Sequence, residues 1–217
     1  MRICAISDVH EKQNDMDKLP DGDLLVSAGD ETLSGNMDRF KEFVDWFASQ
    51  PHKHKVFVAG NHSKNLSNYN REGSINIIRD AGIIYLEHEA TVIDGLKIFG
   101  SPYSSRFGIG WSFNIDRGKD SVELYSEIPD DTQVLICHGP SHMINDAAPR
   151  GLGQYDNVGS VELTDRIRQL KQLKVFVCGH IHDAHNVLEK DGVIYANAAI
   201  CDESYNPTNK PIVIDLP

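Results

Sequence analysis

No apolar run in the 217 residues approaches the roughly 20 that a membrane-spanning helix needs. The start, MRICAISD, lacks a basic segment followed by a long apolar one, so no signal peptide is expected. Cysteine is scarce. Cys4, Cys137, Cys178 and Cys201 form no CxxC pair, and the first three sit in apolar, strand-like runs. Free thiols there behave as small hydrophobes, and a reduced, cytoplasmic protein is the simple expectation. Positive charge is also short. Lys and Arg number 21 against 32 Asp and Glu, a formal net charge of -11. That excludes broad binding to duplex nucleic acid, whose affinity comes mainly from Lys and Arg on phosphates. It does not exclude a phosphate substrate drawn in by a local cation. Repeats, low-complexity tracts and long linkers are absent, and the expectation is one domain over residues 1–217, with no membrane partner.

What is present is an alternation of short apolar runs with helical patterns, which predicts an α/β layer architecture. The strand candidates are Arg2–Ile6, Asp23–Ala28, Lys55–Ala59, Ile83–Leu86, Ala90–Ile93, Leu96–Gly100, Gln133–Cys137, Lys174–Cys178, Asn186–Glu189, Val193–Ala196 and Pro211–Leu216. Asp-Gly in "IDGL" and "KDGV" marks two tight hairpins. Phe40, Phe43, Val44 and Phe47 fall at i, i+3, i+4 and i+7, one apolar helical stripe. Leu163, Ile167 and Leu170 make another. Two long connections, Ser101–Lys119 and Gly139–Gly159, show no clear pattern, and such loops are often functional.

The chemistry sits at the ends of the apolar runs. Asp8 and His10 follow ICAIS, Asp30 follows LLVSAG, Asn61 and His62 follow VFVAG, His138 follows VLIC, and His180 and His182 follow VFVCG. Each block alone has an ordinary structural reading: Gly-Asp makes turns, and Asn tolerates left-handed backbone. Five strands ending this way are another matter, because open α/β sheets bind ligands at the carboxyl ends of their strands. Two carboxylates, one amide and four imidazoles make seven candidate ligands, too many for one ion with an open position. The set suits two ions sharing a carboxylate. Nitrogen and oxygen donors without thiolate favour manganese, iron, zinc or similar ions over calcium or magnesium. The residues alone do not assign ligands to individual ions.

The series D-x-H, G-D, G-N-H, H-G and G-H-x-H resembles the calcineurin-like metallophosphoesterase superfamily. "AGDETLSG", "GSPYSSRFGIGWSFNIDRG", "HGP", "VGSVEL", "FVCGHIH" and "NPTNKPIVIDLP" are similar to its metallophosphoesterase-domain-containing (MPPED) subfamily. The resemblance implies a four-layer sandwich of two mixed β-sheets flanked by helices. It implies two divalent ions, manganese first, with iron, zinc, cobalt or nickel as alternatives. Asp8, His10, Asp30 and His182 would hold one; Asp30 would bridge to a second completed by Asn61, His138 and His180. His62 becomes a proton donor or phosphate contact, and with Asp30 is the expected catalytic pair. Two departures stand out: Ser63 where the pattern often has Glu, and Glu31 after Asp30, an added negative charge near a phosphate site.

The expected reaction is hydrolysis of a small phosphodiester, with nucleotides, cyclic ones included, among the candidates. A hydroxide shared by the two ions would attack phosphorus. Rival readings are a phosphomonoesterase or protein phosphatase with the same site, and a non-catalytic scaffold on the same fold. A scaffold is free to lose ligands, and here all seven are present. In the 101–119 loop, Arg106, Trp111 and Phe113, with Tyr103 and Phe107, can stack a base and bind phosphate, or the aromatics can simply pin the loop to the core. Arg150 is a further phosphate contact or an ion-pair partner. His142 and His185 carry no role, and His52, His54 and His88 read as surface or strand residues.

Overall fold

The computed structural model describes residues 1–68 and 70–216. The first sheet is built from β1 (Arg2–Ile6), β2 (Leu24–Ser27), β3 (His54–Val58), β4 (Ile84–Leu86) and β15 (Ile212–Asp215), in the order β15-β1-β2-β3-β4. All pairs are parallel except β15 with β1. The second contains β5 (Glu89–Ile93), β6 (Leu96–Ser101), β9 (Val134–Cys137), β12 (Val175–Cys178), β13 (Asn186–Lys190) and β14 (Val193–Asn197), in the order β13-β14-β12-β9-β6-β5. Its centre is parallel and both edges are antiparallel hairpins. Those hairpins turn at Asp94-Gly95 and Asp191-Gly192, all four residues with positive φ, as the expected tight turn requires.

Strand alternation explains the layers. Ile3, Ala5, Leu24, Val26, Val56 and Val58 point inward from the first sheet. They meet Ile98, Val134, Ile136, Val175 and Val177 of the second. The alternate residues Cys4, Ile6, Leu25 and Phe57 face outward against α1 (Met37–Ala48) and α2 (Arg71–Asp80), through Phe40, Phe43, Phe47, Ile75 and Ile78. Leu135, Cys137, Phe176 and Cys178 face the other way, against α3 (Lys119–Ser126) and α4 (Val161–Gln169), through Tyr125, Leu163 and Ile167. Strands buried on both faces read as continuous apolar runs, which is why the sequence shows VFV and VLIC rather than alternation. The result is helix, sheet, sheet, helix: the four-layer sandwich. Helix starts follow cap chemistry: Asn36 Oδ1 accepts from the Asp38 and Arg39 amides, and Ser160 Oγ accepts from Leu163 N.

Helices α2 and α3 have no counterpart among the expected stripes, and α3 starts after Gly118 with no side-chain cap. The two long connections also carry structure that no pattern marked. The connection 139–159 contains a hairpin, β10 (Ala147–Gly151) with β11 (Gln154–Asn157). Most of its residues face solvent, so no apolar alternation marks it. The connection 101–119 is pinned by two short paired segments, β7 (Ser104–Ser105) and β8 (Asn114–Ile115). Of the histidines read as surface or strand residues, His52 is buried. Its Nε2–H donates to Pro20 O at 2.9 Å. His88 is nearly enclosed, bonded to Ser101 Oγ and Leu124 O.

Candidate metal centre

The strands β1, β2 and β3 of one sheet, and β9 and β12 of the other, run parallel within their sheets and end at the same edge. Asp8 and His10 lie just past β1, Asp30 past β2, Asn61 and His62 past β3, His138 past β9, and His180 and His182 past β12. The chain turns sharply at each end. Asp8, His10, Asp30 and His180 all have positive φ, from 46 to 69°. Such backbone costs on the order of 1 kcal/mol or more per residue and clusters at functional sites. Gly179 is required here, since a Cβ would collide with Ser7 Oγ and Asp8 Oδ2.

The contacts fall into two sets. In one, His182 Nε2 is 3.4 Å from Asp8 Oδ1, His10 Nε2 is 3.9 Å from the same oxygen, and the two Nε2 atoms are 3.2 Å apart. In the other, His138 Nε2 is 2.8 Å from Asn61 Oδ1 and 3.3 Å from Asp30 Oδ2, and its ring lies 5.0 Å from that of His180. Asp8, Asp30 and His138 each offer an atom within 4.8 Å of the others, so the sets adjoin.

Backbone groups aim these side chains. Nδ1–H donates to a carbonyl in His10 (Thr32 O, 3.2 Å), His138 (Ala28 O, 2.8 Å) and His182 (Asp202 O, 2.9 Å). That leaves each Nε2 facing the centre, the arrangement of metal-ligating histidines. The His180 amide donates to Asp8 Oδ2 at 2.9 Å, while Asp8 Oδ1 is buried with no hydrogen-bond partner. An orphaned carboxylate oxygen beside two converging Nε2 atoms fits a cation between them. The donor set therefore fits divalent metal.

Without a cation, protons take that place. Burial alone would raise both carboxyls. The charge of His182 beside it holds Asp8 well below the usual range; His138 holds Asp30 at about 2. Burial opposes charging of His138 and His182 too, yet Asp30 lifts the first and Asp8 the second to about 9. Burial wins at His10 and His180, pushed down to about 4 and about 3.

Above the ligands lies a pocket of about 170 Å³. His62 stands in its wall, its amide bonded to Asp30 Oδ1 (2.7 Å) and its Nδ1–H to Leu33 O (2.6 Å). Its ring lies 4.7 Å from His10 and 4.6 Å from Trp111. Trp111 lines the pocket. Arg106 lines a neighbouring groove, with its Nε 2.5 Å from Asp116 Oδ1. Phe113 packs against Tyr103 and the helical layer over the first sheet, as a loop anchor. Arg150 pairs with Asp156 at 3.5 Å on the exposed hairpin. Glu31 is buried and is not among the pocket's lining residues.

Sequence reasoning missed Tyr205, Glu203 and Asn197. Tyr205 lines the pocket 4.8 Å from the His10 ring. Asn197, at the end of β14, donates to Gly179 O and Ile181 O and so braces the GHIH turn. The signal was the same carboxyl-end rule, applied to one more parallel strand.

Fold and site together define a metal-binding α/β sandwich with a polar pocket at its strand ends. The model of the calcineurin-like phosphoesterase family matches residues 1–184, and the chain belongs to that family. It is 33% identical, over its full length, to 71% of "Metallophosphoesterase domain-containing protein 1" of Homo sapiens. A UPF0046 protein of Caenorhabditis elegans is 32% identical over all of this chain and 81% of its own length. Among solved structures, TT1561 of Thermus thermophilus superposes with a TM-score of 0.63, covering 90% of this chain and 88% of that one at 10% identity, a likeness of fold. No helix among the described residues is long and apolar enough to cross a membrane.

Proposed function

We propose that the protein is a dinuclear metal-dependent phosphodiesterase acting on small diesters, nucleotides among them. Asp8, His10 and His182 with Asp30 would hold one ion, and Asn61, His138 and His180 with Asp30 the other, manganese being the first choice. Such ions supply charge neutralisation at phosphorus and acidify a water. The protein's own groups do the rest. His62, its Nδ1–H fixed by Leu33 O, directs Nε2 toward the pocket, where a proton can pass to the departing alkoxide. Trp111 packs on that ring and holds its angle.

One observation carries the choice of diester over monoester. None of the described residues lining the pocket is Lys or Arg. A monoester dianion carries one more charge than a diester at neutral pH, and no Lys or Arg of the wall pairs with that charge. Four buried cysteines, all free, suit a reducing compartment such as the cytoplasm. The test is a hydrolysis screen with Mn²⁺ over cyclic nucleotides, nucleoside monophosphates and aryl phosphate diesters. Turnover of diesters above monoesters supports the reading; monoester turnover alone, or none with near-zero bound metal, overturns it.

A further inference from the structure

The pocket over the ligands is not closed on all sides. Phe107, His180 and Glu203 line both it and a neighbouring cavity of about 460 Å³. The walls of that groove include Pro140, Pro149, Val158 and Ile181, so much of its surface is apolar. Its two arginines are already engaged. Arg106 is neutralised by Asp116, and Arg117 donates to the carbonyls of Gly159 (2.9 Å) and Val158 (2.5 Å). With Arg106 paired and Arg117 turned onto backbone carbonyls, the apolar walls are what the groove offers an uncharged organic group.

Glu203 stands at the junction, exposed, on a turn whose backbone is fixed. The Asp202 carboxylate accepts from the amides of Ser204 (2.8 Å) and Asn206 (2.9 Å), which locks the turn. The Asp202 carbonyl also accepts from His182 Nδ1, which ties the same turn to a candidate ligand. A carboxylate at that rim faces whatever projects from phosphorus toward the groove. In a diester this is an ester oxygen with an organic substituent. In a monoester it is a second anionic oxygen. Like charges repel, and a rim charge discriminates between partners more than it adds affinity.

We infer that Glu203 is a specificity residue that disfavours phosphate dianions, and that the groove beyond it receives the second, uncharged substituent of a phosphodiester. This rests on the diesterase reading above and assigns its selectivity to one side chain.

The test uses Mn²⁺-loaded protein and Glu203→Gln at about pH 8, where inorganic phosphate is doubly charged. The ratio of kcat/KM for an aryl phosphate monoester to that for the bis-aryl diester should rise about tenfold in the variant, the factor expected for removing one rim charge. Calorimetry should show inorganic phosphate binding about tenfold tighter, with dimethyl phosphate shifted less than about threefold. Val158→Trp should raise KM for the bis-aryl diester about tenfold relative to a methyl aryl diester, since it fills the groove. An unchanged ratio together with unchanged phosphate affinity in Glu203→Gln overturns the filter while leaving the diesterase reading intact. An equal effect of Val158→Trp on both diesters overturns the groove. Wild-type protein that hydrolyses monoesters and no diester sinks the function itself, and the inference with it.

Discussion

Ser63 Oγ donates a 2.5 Å hydrogen bond to Glu31 Oε2, with both residues fully buried. The same hydroxyl accepts from the Gly60 amide at 2.8 Å. One serine therefore ties the Gly60–Ser63 turn, which carries Asn61 and His62, to the segment that carries Asp30. The two departures from the family pattern are a single contact. Glu31 does not present its charge to phosphate. Burial pushes its carboxyl up to about 7, with the Ser63 bond opposing that rise.

Removing the hydroxyl leaves a buried carboxylate without its donor and a buried amide without its acceptor. Ser63→Ala should cost about 1–3 kcal/mol in denaturant unfolding. Glu31→Leu combined with Ser63→Ala should lose less than the two single changes summed, because the residues act as a pair. Additive losses would show that the contact does not couple them.

Much of this site was legible because parallel strands buried on both faces make apolar runs, and the residues just past such runs share one edge. Asp8, Asp30, Asn61, His138 and His180 were found that way. The partnership of Ser63 with Glu31 was not, since nothing local joins positions 31 and 63. Tyr205 stayed hidden because its loop follows β14, whose last residue, Asn197, carries an amide that braces rather than faces the pocket. For Phe113 the sequence left open a stacking platform or a loop anchor, and only the fold shows its ring turned to Tyr103 and the helical layer. The hairpin at 147–157 lacks a buried face, so no periodicity could announce it.

His62 reaches the pocket with one nitrogen already committed to Leu33 O. His62→Ala should keep bound metal and lower turnover of esters with poor leaving groups by about 10²–10⁴. Esters with good leaving groups need no proton and should lose far less. Metal analysis of the variant, with rates plotted against leaving-group pKa, checks this; loss of metal would make His62 a ligand instead.

The histidine shifts set the pH dependence of metal-free protein. His138 and His182 have folded pKa values of about 9, above the ordinary 6.5. Their contribution is fully present below 6.5 and is lost as pH rises toward 9. His10 and His180 are depressed and act on the other side, costing stability as pH falls from 6.5 toward about 4 and about 3. Chelator-treated protein should therefore melt highest near neutrality and lose several degrees by about pH 9. Metal competes with the protons on His138 and His182, so its binding at neutral pH should release protons. Calorimetry in buffers of different ionisation enthalpy reads that release; a buffer-independent heat would contradict it.

Asp30 is the ligand we propose the two ions share. Its Oδ1 accepts from the His62 amide and its Oδ2 faces His138. Asp30→Asn keeps the shape and removes the charge. Burial then dominates at His138, which is fully enclosed, and its pKa should fall from about 9 toward neutrality or below, measurable by NMR titration. Loss of a shared ligand should cost more than the 10–100-fold that outer partners of a metal ligand typically contribute, so turnover should drop by at least about 100-fold and metal content below two ions per chain. Asp30→Ala should do both and also free the His62 amide, so its residual rate on poor leaving groups should fall below that of Asp30→Asn. Full metal content and activity in either variant would mean that the acid beside His138 bridges nothing.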